Sequence, residues 1–375
     1  MITGRGVKTA PMRVALLNPC YWPEVRRGSE RFAHELSREL IARGHHPRLI
    51  TSHPAWTTTV LEDDLEIVRH WRPPPERWLR RHDFLAHLTH VPLSYASLRA
   101  GEDDLAHALY PSDALAAALW SRRTGRPSIF AYMGITSRRG LTDRRLRLEV
   151  THRAARECTA VTALSRAAAH AFARWLGVKA RVIYPPVDLN LFAPGGERVP
   201  NPTILCPAAL DEPRKRMGVL IGAFGKLRRL LPDARLILSR PRRDRDVHAA
   251  LAGVPGVEVM DLDDRSALVE AYRTSWLCVL PSIDEAFGLV LAESLACGTP
   301  VVGSDSGAIP EIIDRQDVGR LFAPDDEDAL VRSMLATLEL AGDPETSTAC
   351  RGRAREFSSV RCADAYLQLY AELLA

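Results

Sequence analysis

Two glutamates, Glu285 and Glu293, stand eight positions apart where a short apolar run gives way to a helix-forming stretch. At ~1.5 Å per helical residue, this spacing separates the carboxylates by roughly 9–12 Å, about the length of a sugar-diphosphate-ribose. One carboxylate could accept hydrogen bonds from sugar hydroxyls, and the other could hold the ribose diol. The free amides at the start of the helix would then bind the diphosphate. Taken alone, such a pair is also typical of an ordinary helix with solvated acidic residues.

The surrounding residues predict a strand, a loop, a helix and a second strand. Leu277 to Leu280 is an apolar run closed by a proline, as in a buried parallel strand. Leu289 to Ala296 is a good helix former that ends at a glycine, and Val301 to Gly303 is the next apolar strand. Open α/β sheets bind ligands beyond the carboxyl ends of their strands. The loop that carries Glu285 is therefore the predicted binding site.

A longer signature surrounds the two glutamates. In order, it reads Pro281-Ser282, Glu285-Ala-Phe-Gly-Leu-Val-Leu-Ala-Glu293, Ala296-Cys-Gly-Thr-Pro-Val-Val302 and Gly307-Ala-Ile-Pro-Glu311. It closely resembles the donor-site signature of the large retaining glycosyltransferase family, group 1 or family 4, that includes bacterial phosphatidylinositol mannosyltransferases. The resemblance implies that Glu285 contacts the transferred sugar, that Glu293 binds the ribose, and that the backbone between them meets the diphosphate. The donor-binding candidates in that stretch are Ala286, Phe287, Gly288 and Leu289.

The departing diphosphate also calls for positive charge, because negative charge develops on it in the transition state. Ala208-Ala-Leu-Asp-Glu-Pro-Arg-Lys-Arg216 resembles the family segment in which an Arg and a Lys clamp the diphosphate. The Lys matches as Lys215, which joins Glu285 as a catalytic candidate, whereas the Arg position holds Ala209. Either Arg214 or Arg240 supplies the second cation, or the clamp is weakened. Outside this context, a basic run is usually solvated surface.

Two positions in the N-terminal half also bear on the resemblance to this family. Arg26-Arg-Gly-Ser-Glu-Arg31 resembles the family's glycine loop, in which Gly28 matches a glycine near the diphosphate and Arg27 replaces another. An ordinary helix start is the alternative for Gly28. Members commonly have a His where this chain has Met133, so the sugar contact there is in doubt, and we place Met133 among the acceptor-side candidates.

A mixed aromatic and cationic segment follows a proline break between Trp71 and Ala100. Its members are Trp71, Arg72, Arg77, Trp78, Arg80, Arg81 and Phe84. Two interpretations stay open: a helix packed on the N-terminal domain with an exposed arginine edge, or a rim of the acceptor site. In the second, Trp78 and Phe84 offer aromatic faces to a sugar or aglycone, and the arginines meet an anionic group. We expect a soluble or peripherally presented acceptor, because the apolar side is short.

Composition restricts the other possibilities. The 375 residues suffice for two α/β domains, and no apolar run approaches the ~20 residues of a membrane span. We expect a cytoplasmic protein, with weak peripheral association at the inner membrane left open. The net charge of +4 rests on arginine, which suits phosphate groups. Because no zinc-finger, RNA-recognition or helix-turn-helix pattern appears, we expect no nucleic-acid partner.

Neither disulfides nor metals are expected. The seven cysteines are scattered singly, as in the core of a protein from a reducing compartment. Asp244-Arg-Asp246 and Asp261-Leu-Asp263 match the metal-binding pattern of a different glycosyltransferase fold, but such short patterns arise by chance. We predict no metal and no cofactor, with the nucleotide sugar as a substrate.

The alternation of strands and helices occurs twice and predicts two sequential α/β domains. We expect a disordered extension (residues 1–11), an N-terminal Rossmann-like acceptor domain (12–192), a linker (193–202), a C-terminal Rossmann-like nucleotide-sugar domain (203–358) and a final helix (359–375). That helix has an apolar stripe that must be covered. The resemblance implies the GT-B fold, with two doubly wound domains, a cleft between them, and a C-terminal helix that crosses back to the N-terminal domain.

The resemblance implies a metal-independent, hexosyltransferase-like enzyme that moves a sugar from a nucleoside diphosphate to a hydroxyl of a glycan, lipid-linked or small-molecule acceptor. The resemblance also implies transfer with retention, in which the acceptor hydroxyl attacks from the leaving-group side and the departing phosphate takes its proton. Two alternatives stay open: another GT-B enzyme, such as a nucleotide-sugar epimerase, and a non-catalytic subunit that binds sugar nucleotides. Ala209 and Met133 motivate the second. The residues do not specify the donor sugar, the nucleobase or the acceptor.

Overall fold

The computed structural model describes residues 10–21, 28–72, 87–137, 145–209, 212–240, 251 and 253–375. The chain divides into two compact units. The first comprises Met1–Pro186 together with Ser359–Ala375, and the second is Val187–Ser358.

The first unit is built on a largely parallel sheet. Its strands are β1 (Arg13–Leu17), β2 (His46–His53), β3 (Thr58–Glu62), β4 (Leu65–Trp71), β5 (Leu105–Ala108), β6 (Ser128–Tyr132), β7 (Ala160–Ala163) and β8 (Arg181–Val182). Their order across the sheet is β3-β4-β2-β1-β5-β6-β7-β8, and among these pairs only β3 and β4 run antiparallel. The chain leaves β1 first towards β2 and later returns to β5 on its other side. Such a reversal marks the ligand-binding edge of a doubly wound sheet.

Helices pack against this sheet. The described ones are α1 (Gly28–Ala42), α2 (His90–Ala100), α3 (Pro111–Thr124), α4 (Arg145–Glu157) and α5 (Arg166–Leu176). Trp120, Phe130 and Phe172 are fully buried between these helices and the sheet. The helix ends follow ordinary capping rules, since Ser165 accepts a hydrogen bond from the amide of Ala168 at 3.0 Å and Gly177 ends α5 with a left-handed φ of 68°.

The last helix, α12 (Ser359–Leu374), belongs to the first unit although it follows the second in sequence. The hydroxyl of Tyr370 lies 2.7 Å from Nδ1 of buried His107, and the hydroxyl of Tyr366 lies 3.0 Å from that of Thr162. The ring of Phe32 meets Tyr366 edge-on, with centroids 5.7 Å apart. The middle of the predicted apolar stripe, Ala363, Leu367 and Tyr370, is therefore buried against the first unit, whereas Val360 and Leu374 at the helix ends stay exposed.

The second unit is built on a parallel sheet. Its strands are β9 (Thr203–Cys206), β10 (Arg235–Ser239), β11 (Val257–Met260), β12 (Leu277–Leu280), β13 (Val301–Ser304) and β14 (Gly319–Phe322), in the order β11-β10-β9-β12-β13-β14. The described helices are a 3-10 turn (Pro213–Lys215), α6 (Met217–Leu230), α7 (Arg265–Thr274), α8 (Leu289–Ala296), α9 (Ile309–Ile312), α10 (Glu327–Ala341), α11 (Glu345–Ala354) and a second 3-10 turn (Arg355–Phe357). The chain again reverses direction in the sheet, between β9 and β12.

The predicted fold class is confirmed, with two doubly wound α/β units. The sequence did not reveal β3, an edge strand that is mostly exposed and has no apolar alternation. Its hairpin turn uses Asp63 and Asp64, both with positive φ, where a glycine would have been the recognisable signal.

Candidate functional site

The predicted loop lies between β12 and α8 in the second unit. Its strand is fully buried. Gly288, with φ 103°, forms the N-terminal boundary of α8, and a Cβ there would lie 3.3 Å from the side chain of Ile312. Phe287 anchors the loop to the core of the second unit, because its side chain is buried and packs edge-on against Phe357 with ring centroids 5.2 Å apart. The amides at the start of α8 are thus presented by a loop that is fixed on both sides.

Glu285 is held at its backbone by the loop that follows β13. Its carbonyl oxygen accepts a hydrogen bond from the amide of Ala308 at 2.9 Å. The preceding residue, Gly307, has φ 59°, and a Cβ on it would lie 2.6 Å from the oxygen and 2.7 Å from the nitrogen of Glu285. Gly307 therefore meets both requirements for glycine, a left-handed conformation and a close approach of two backbones.

Two cations meet on the Glu285 carboxylate. The Lys215 ammonium and the Arg214 guanidinium both lie 2.8 Å from Oε2 of Glu285. The 3-10 turn that carries them is tied to the loop by a 2.9 Å bond from the Ile283 amide to the Arg214 carbonyl. Arg214 also lies 2.9 Å from Glu212, which is about half exposed. We call Arg214, Lys215 and Glu285 the Glu285 cluster.

The charge state of this cluster follows from its surroundings. Burial by itself would raise the pKa of Glu285, but the Lys215 ammonium and the Arg214 guanidinium outweigh it and lower the pKa below its usual 4.5. Burial likewise acts to lower the pKa of Arg214, and the carboxylates of Glu285 and Glu212 overcome it. Glu285 and Arg214 are therefore ionised at neutral pH. Because Glu212 is about half exposed, its charge is screened by solvent, so Arg214 and Lys215 face one screened carboxylate and the Glu285 carboxylate, whose side chain is 12% exposed.

Glu293 lies at the core-facing side of α8 and not on a solvated helix face. It is 3% exposed, and its Oε2 accepts a hydrogen bond of 3.0 Å from the Tyr272 hydroxyl on α7. A buried carboxylate with a fixed orientation is the arrangement expected of a binding group more than of a surface charge. Its assignment to a ribose stays a prediction.

The other predicted residues are dispersed. Arg240 pairs with Asp261 at 3.4 Å and is 61% exposed, so Arg214 is the cation that accompanies Lys215. Gly28 is the first residue of α1, and Met133 directly follows β6, both in the first unit. Trp78 and Phe84 lie outside the described residues.

The described part of the chain contains scattered His, Cys, Asp and Glu side chains, among them all seven cysteines. No group of three or more His, Cys, Asp or Glu side chains there is placed to hold a metal ion. The seven cysteines are free, and burial raises the pKa of Cys206 to about 11 and that of Cys158 to about 12. Such thiols are poor nucleophiles. Within the same residues, no helix combines the length and the apolarity that a bilayer span requires.

Sequence reasoning missed three supporting residues. Gly307 was visible only as part of a signature, and its contact with Glu285 is between backbones. Tyr272 lies 21 positions from Glu293, too far for any periodicity to connect them. Arg353 donates from Nε to the Ile312 carbonyl at 3.0 Å and lies over Phe357, the residue that supports Phe287. These contacts depend on the tertiary fold, so no local pattern predicts them.

Two family models match the chain. The model described as glycosyltransferase family 4 matches residues 26–191, and the model described as glycosyl transferases group 1 matches residues 201–340. Together they span the larger part of both units, and the second contains the whole Glu285 cluster.

Curated proteins with similar sequences are named as glycosyltransferases or mannosyltransferases. A D-inositol 3-phosphate glycosyltransferase of Saccharomonospora viridis is 31% identical over 218 residues, which is 52% of this chain and 50% of the relative. A phosphatidyl-myo-inositol mannosyltransferase of Mycolicibacterium smegmatis is 36% identical over 36% of each chain. The chain thus aligns with half or less of the length of these relatives. The corresponding Mycobacterium leprae mannosyltransferase aligns over 87% of both chains at 26% identity.

Solved structures share the fold. A sucrose-phosphate synthase from Thermosynechococcus elongatus superimposes with a TM-score of 0.82 at 21% identity, covering 96% of this chain and 99% of that one. An Anabaena protein solved with UDP and glucose has a TM-score of 0.72 at 19% identity, covering 96% of this chain and all of that one. With both of its domains matched and its fold shared, the chain belongs to the group 1 and family 4 glycosyltransferases of GT-B fold.

Proposed function

We propose that the protein is a retaining glycosyltransferase that moves a sugar from a nucleoside-diphosphate sugar to a hydroxyl group of an acceptor. The Glu285 cluster carries this proposal. It combines two cations, suited to a departing diphosphate, with an ionised carboxylate, suited to sugar hydroxyls. The cluster lies beside the N-terminus of α8, where backbone amides favour an anion.

In this proposal, the four charged residues bind different parts of the donor. Lys215 and Arg214 stabilise the negative charge that grows on the diphosphate as the bond to the sugar breaks. Glu285 accepts hydrogen bonds from the sugar and, between reactions, keeps both cations oriented. Glu293, held by Tyr272, binds the ribose diol. The acceptor hydroxyl attacks from the side of the leaving group and passes its proton to the departing phosphate, so no protein nucleophile is required.

The relatives support the donor class. Anabaena structures of the same fold were solved with UDP and with UDP-glucose, and the curated relatives are named as glycosyltransferases and mannosyltransferases. The resemblance in fold covers almost the whole chain, so a nucleotide sugar is the substrate class to test first.

Release of the nucleoside diphosphate tests the proposal. The protein is incubated with UDP-, GDP- and ADP-hexoses, with and without a panel of hydroxyl acceptors, and the free diphosphate is followed by phosphorus NMR. We expect release that depends on the acceptor, and a product whose proton NMR coupling shows the donor's anomeric configuration. Inversion would contradict retention, and donor binding without turnover by any acceptor would favour a non-catalytic subunit.

A further inference from the structure

Two exposed tryptophans lie together at the carboxyl edge of the first sheet. Trp71 is the last residue of β4, and Trp56 follows the end of β2 by three residues. They are 49% and 54% exposed, respectively. Exposed aromatic side chains that share one edge of a sheet are a candidate ligand surface, whereas a single exposed one is ordinary. We call these residues the tryptophan pair.

The position of the tryptophan pair follows from the strand register. β2 and β4 run parallel, with His53 opposite Trp71, so both strands end at the same edge. The amide of Trp71 donates to Oγ1 of Thr57 at 2.9 Å, which ties the loop carrying Trp56 to the end of β4. The backbones at Trp71 and at the loop that carries Trp56 therefore meet on the edge where doubly wound sheets bind ligands.

Contacts within the protein orient the indole of Trp56 and fix the backbone around Trp71. The indole of Trp56 stacks on the imidazole of His53, with centroids 3.9 Å apart and an angle of 26° between the rings. Arg72, buried next to Trp71, donates from its side chain to the carbonyls of Ser52 at 3.1 Å and Pro19 at 3.3 Å. It thereby fastens the ends of β2 and β1 to β4. A rigid aromatic surface loses little conformational entropy on binding.

We propose that the tryptophan pair is the stacking part of the acceptor subsite and binds the C–H face of a hydroxylated six-membered ring. This inference rests on the proposed function. The face of an indole ring is electron-rich, and the C–H groups on one side of a pyranose or cyclitol ring are weakly positive and apolar. The hydroxyls at the rim of the ring remain in water or meet polar groups. A half-exposed, fixed indole suits such a ligand better than it suits a flexible chain.

Saturation-transfer NMR with small ring compounds tests the tryptophan pair directly. The probes are methyl hexopyranosides and myo-inositol, which distinguish the two ring sources, and glycerol, an acyclic polyol. We expect ring C–H protons of at least one probe to receive saturation, and glycerol to receive none. Trp56→Ala and Trp71→Ala should each weaken binding about two- to tenfold. Trp56→Phe and Trp71→Phe, which keep an aromatic face, should retain most of it.

Trp175→Ala is the matched control, because Trp175 is also an exposed tryptophan of the first unit but lies in the last turn of α5. It should bind the probes as the wild type does. The inference is overturned if no ring compound binds the wild type, if glycerol binds equally well, or if the alanine variants, with unchanged thermal unfolding, bind like the control. Calorimetry with nucleoside diphosphates on the same samples separates the two claims: diphosphate binding with tryptophan-independent ring binding removes only this inference, whereas failure of every diphosphate to bind removes the proposed function.

Discussion

At the scale of single residues, Lys215 is the cation whose loss should affect chemistry most. It is 9% exposed and reaches Glu285 directly. We expect Lys215→Ala to reduce turnover several hundredfold, about 2.7–4 kcal/mol, because the charge it meets grows during departure of the diphosphate. Donor affinity should change less, since Arg214 remains. Steady-state kinetics at saturating donor is the measurement.

Lys226→Ala provides the control for that experiment. Lys226 is also an ion-paired lysine of the second unit, bound to Asp328 at 2.6 Å on the surface. Its removal should leave turnover unchanged. Near-normal turnover of Lys215→Ala at saturating donor would show that the assignment of Lys215 is wrong.

The two carboxylates should separate in their effects. Glu285 accepts hydrogen bonds from Arg214 and Lys215, whereas Glu293 is buried and accepts one from Tyr272. We expect Glu285→Gln to lower turnover and alter the preference among donor sugars, and Glu293→Gln to weaken mainly the affinity for the free nucleoside diphosphate. Calorimetry with the diphosphate distinguishes them. Equal losses of diphosphate affinity in both variants would remove the distinction.

At the scale of elements, the loop after β13 positions the loop after β12. Gly307→Ala forces an unfavourable φ and places a methyl group 2.6 Å from the Glu285 carbonyl oxygen. We expect a loss of about 1–3 kcal/mol in the free energy of unfolding, together with weaker donor binding. Denaturant titration followed by donor calorimetry measures both.

Gly225→Ala is the corresponding control. Gly225 lies within α6, and a Cβ there would have nothing within 4 Å. Replacement of a helical glycine by alanine should be neutral or stabilise the protein by about 0.5–1 kcal/mol. If Gly307→Ala behaves like Gly225→Ala, the close approach to Glu285 has no energetic consequence.

The elements were largely predictable, and the side-chain partners were not. β12 and α8 follow from an apolar run, a glycine start and a glycine stop, all of which are local signals. β3 was not predicted, because an exposed edge strand needs no alternation of apolar and polar residues. About seventy positions separate Arg214 and Lys215 from Glu285. Their proximity in space could therefore be expected only from the resemblance to the family. The contact of Glu293 with Tyr272 depends on how α7 and α8 pack, which no local pattern encodes.

At the scale of the whole molecule, α12 packs on the first unit through a hydrogen bond between Tyr370 and His107, and His107 titrates. His107 is fully buried against Tyr370, and burial lowers the pKa of His107 from 6.5 to about 3. Between about pH 3 and pH 6.5, His107 is therefore protonated in the unfolded chain and neutral in the folded chain. The free energy of unfolding should fall as the pH drops from about 6.5 towards about 3, by up to about 1.4 kcal/mol per pH unit for this one group.

His107→Gln tests that pH dependence, since glutamine can still bond to Tyr370 but does not titrate. The variant should show a shallower decline of unfolding free energy in urea titrations between pH 6.5 and 4. His46→Gln, at an exposed histidine, should keep the wild-type slope. Identical slopes for the wild type and His107→Gln would show that His107 is not the group responsible.

Calorimetry with nucleoside diphosphates tests most directly whether the Glu285 cluster is the diphosphate site. UDP, GDP and ADP are titrated into the wild type, into Arg214→Ala/Lys215→Ala, and into Lys226→Ala/Arg240→Ala, which removes the same charge from two surface ion pairs. Charge-assisted hydrogen bonds of ~1.5–3 kcal/mol predict that one diphosphate binds the wild type and the control alike, and binds the cluster variant at least about tenfold more weakly. Equal affinity of the three proteins for that diphosphate would show that the Glu285 cluster is not the diphosphate site.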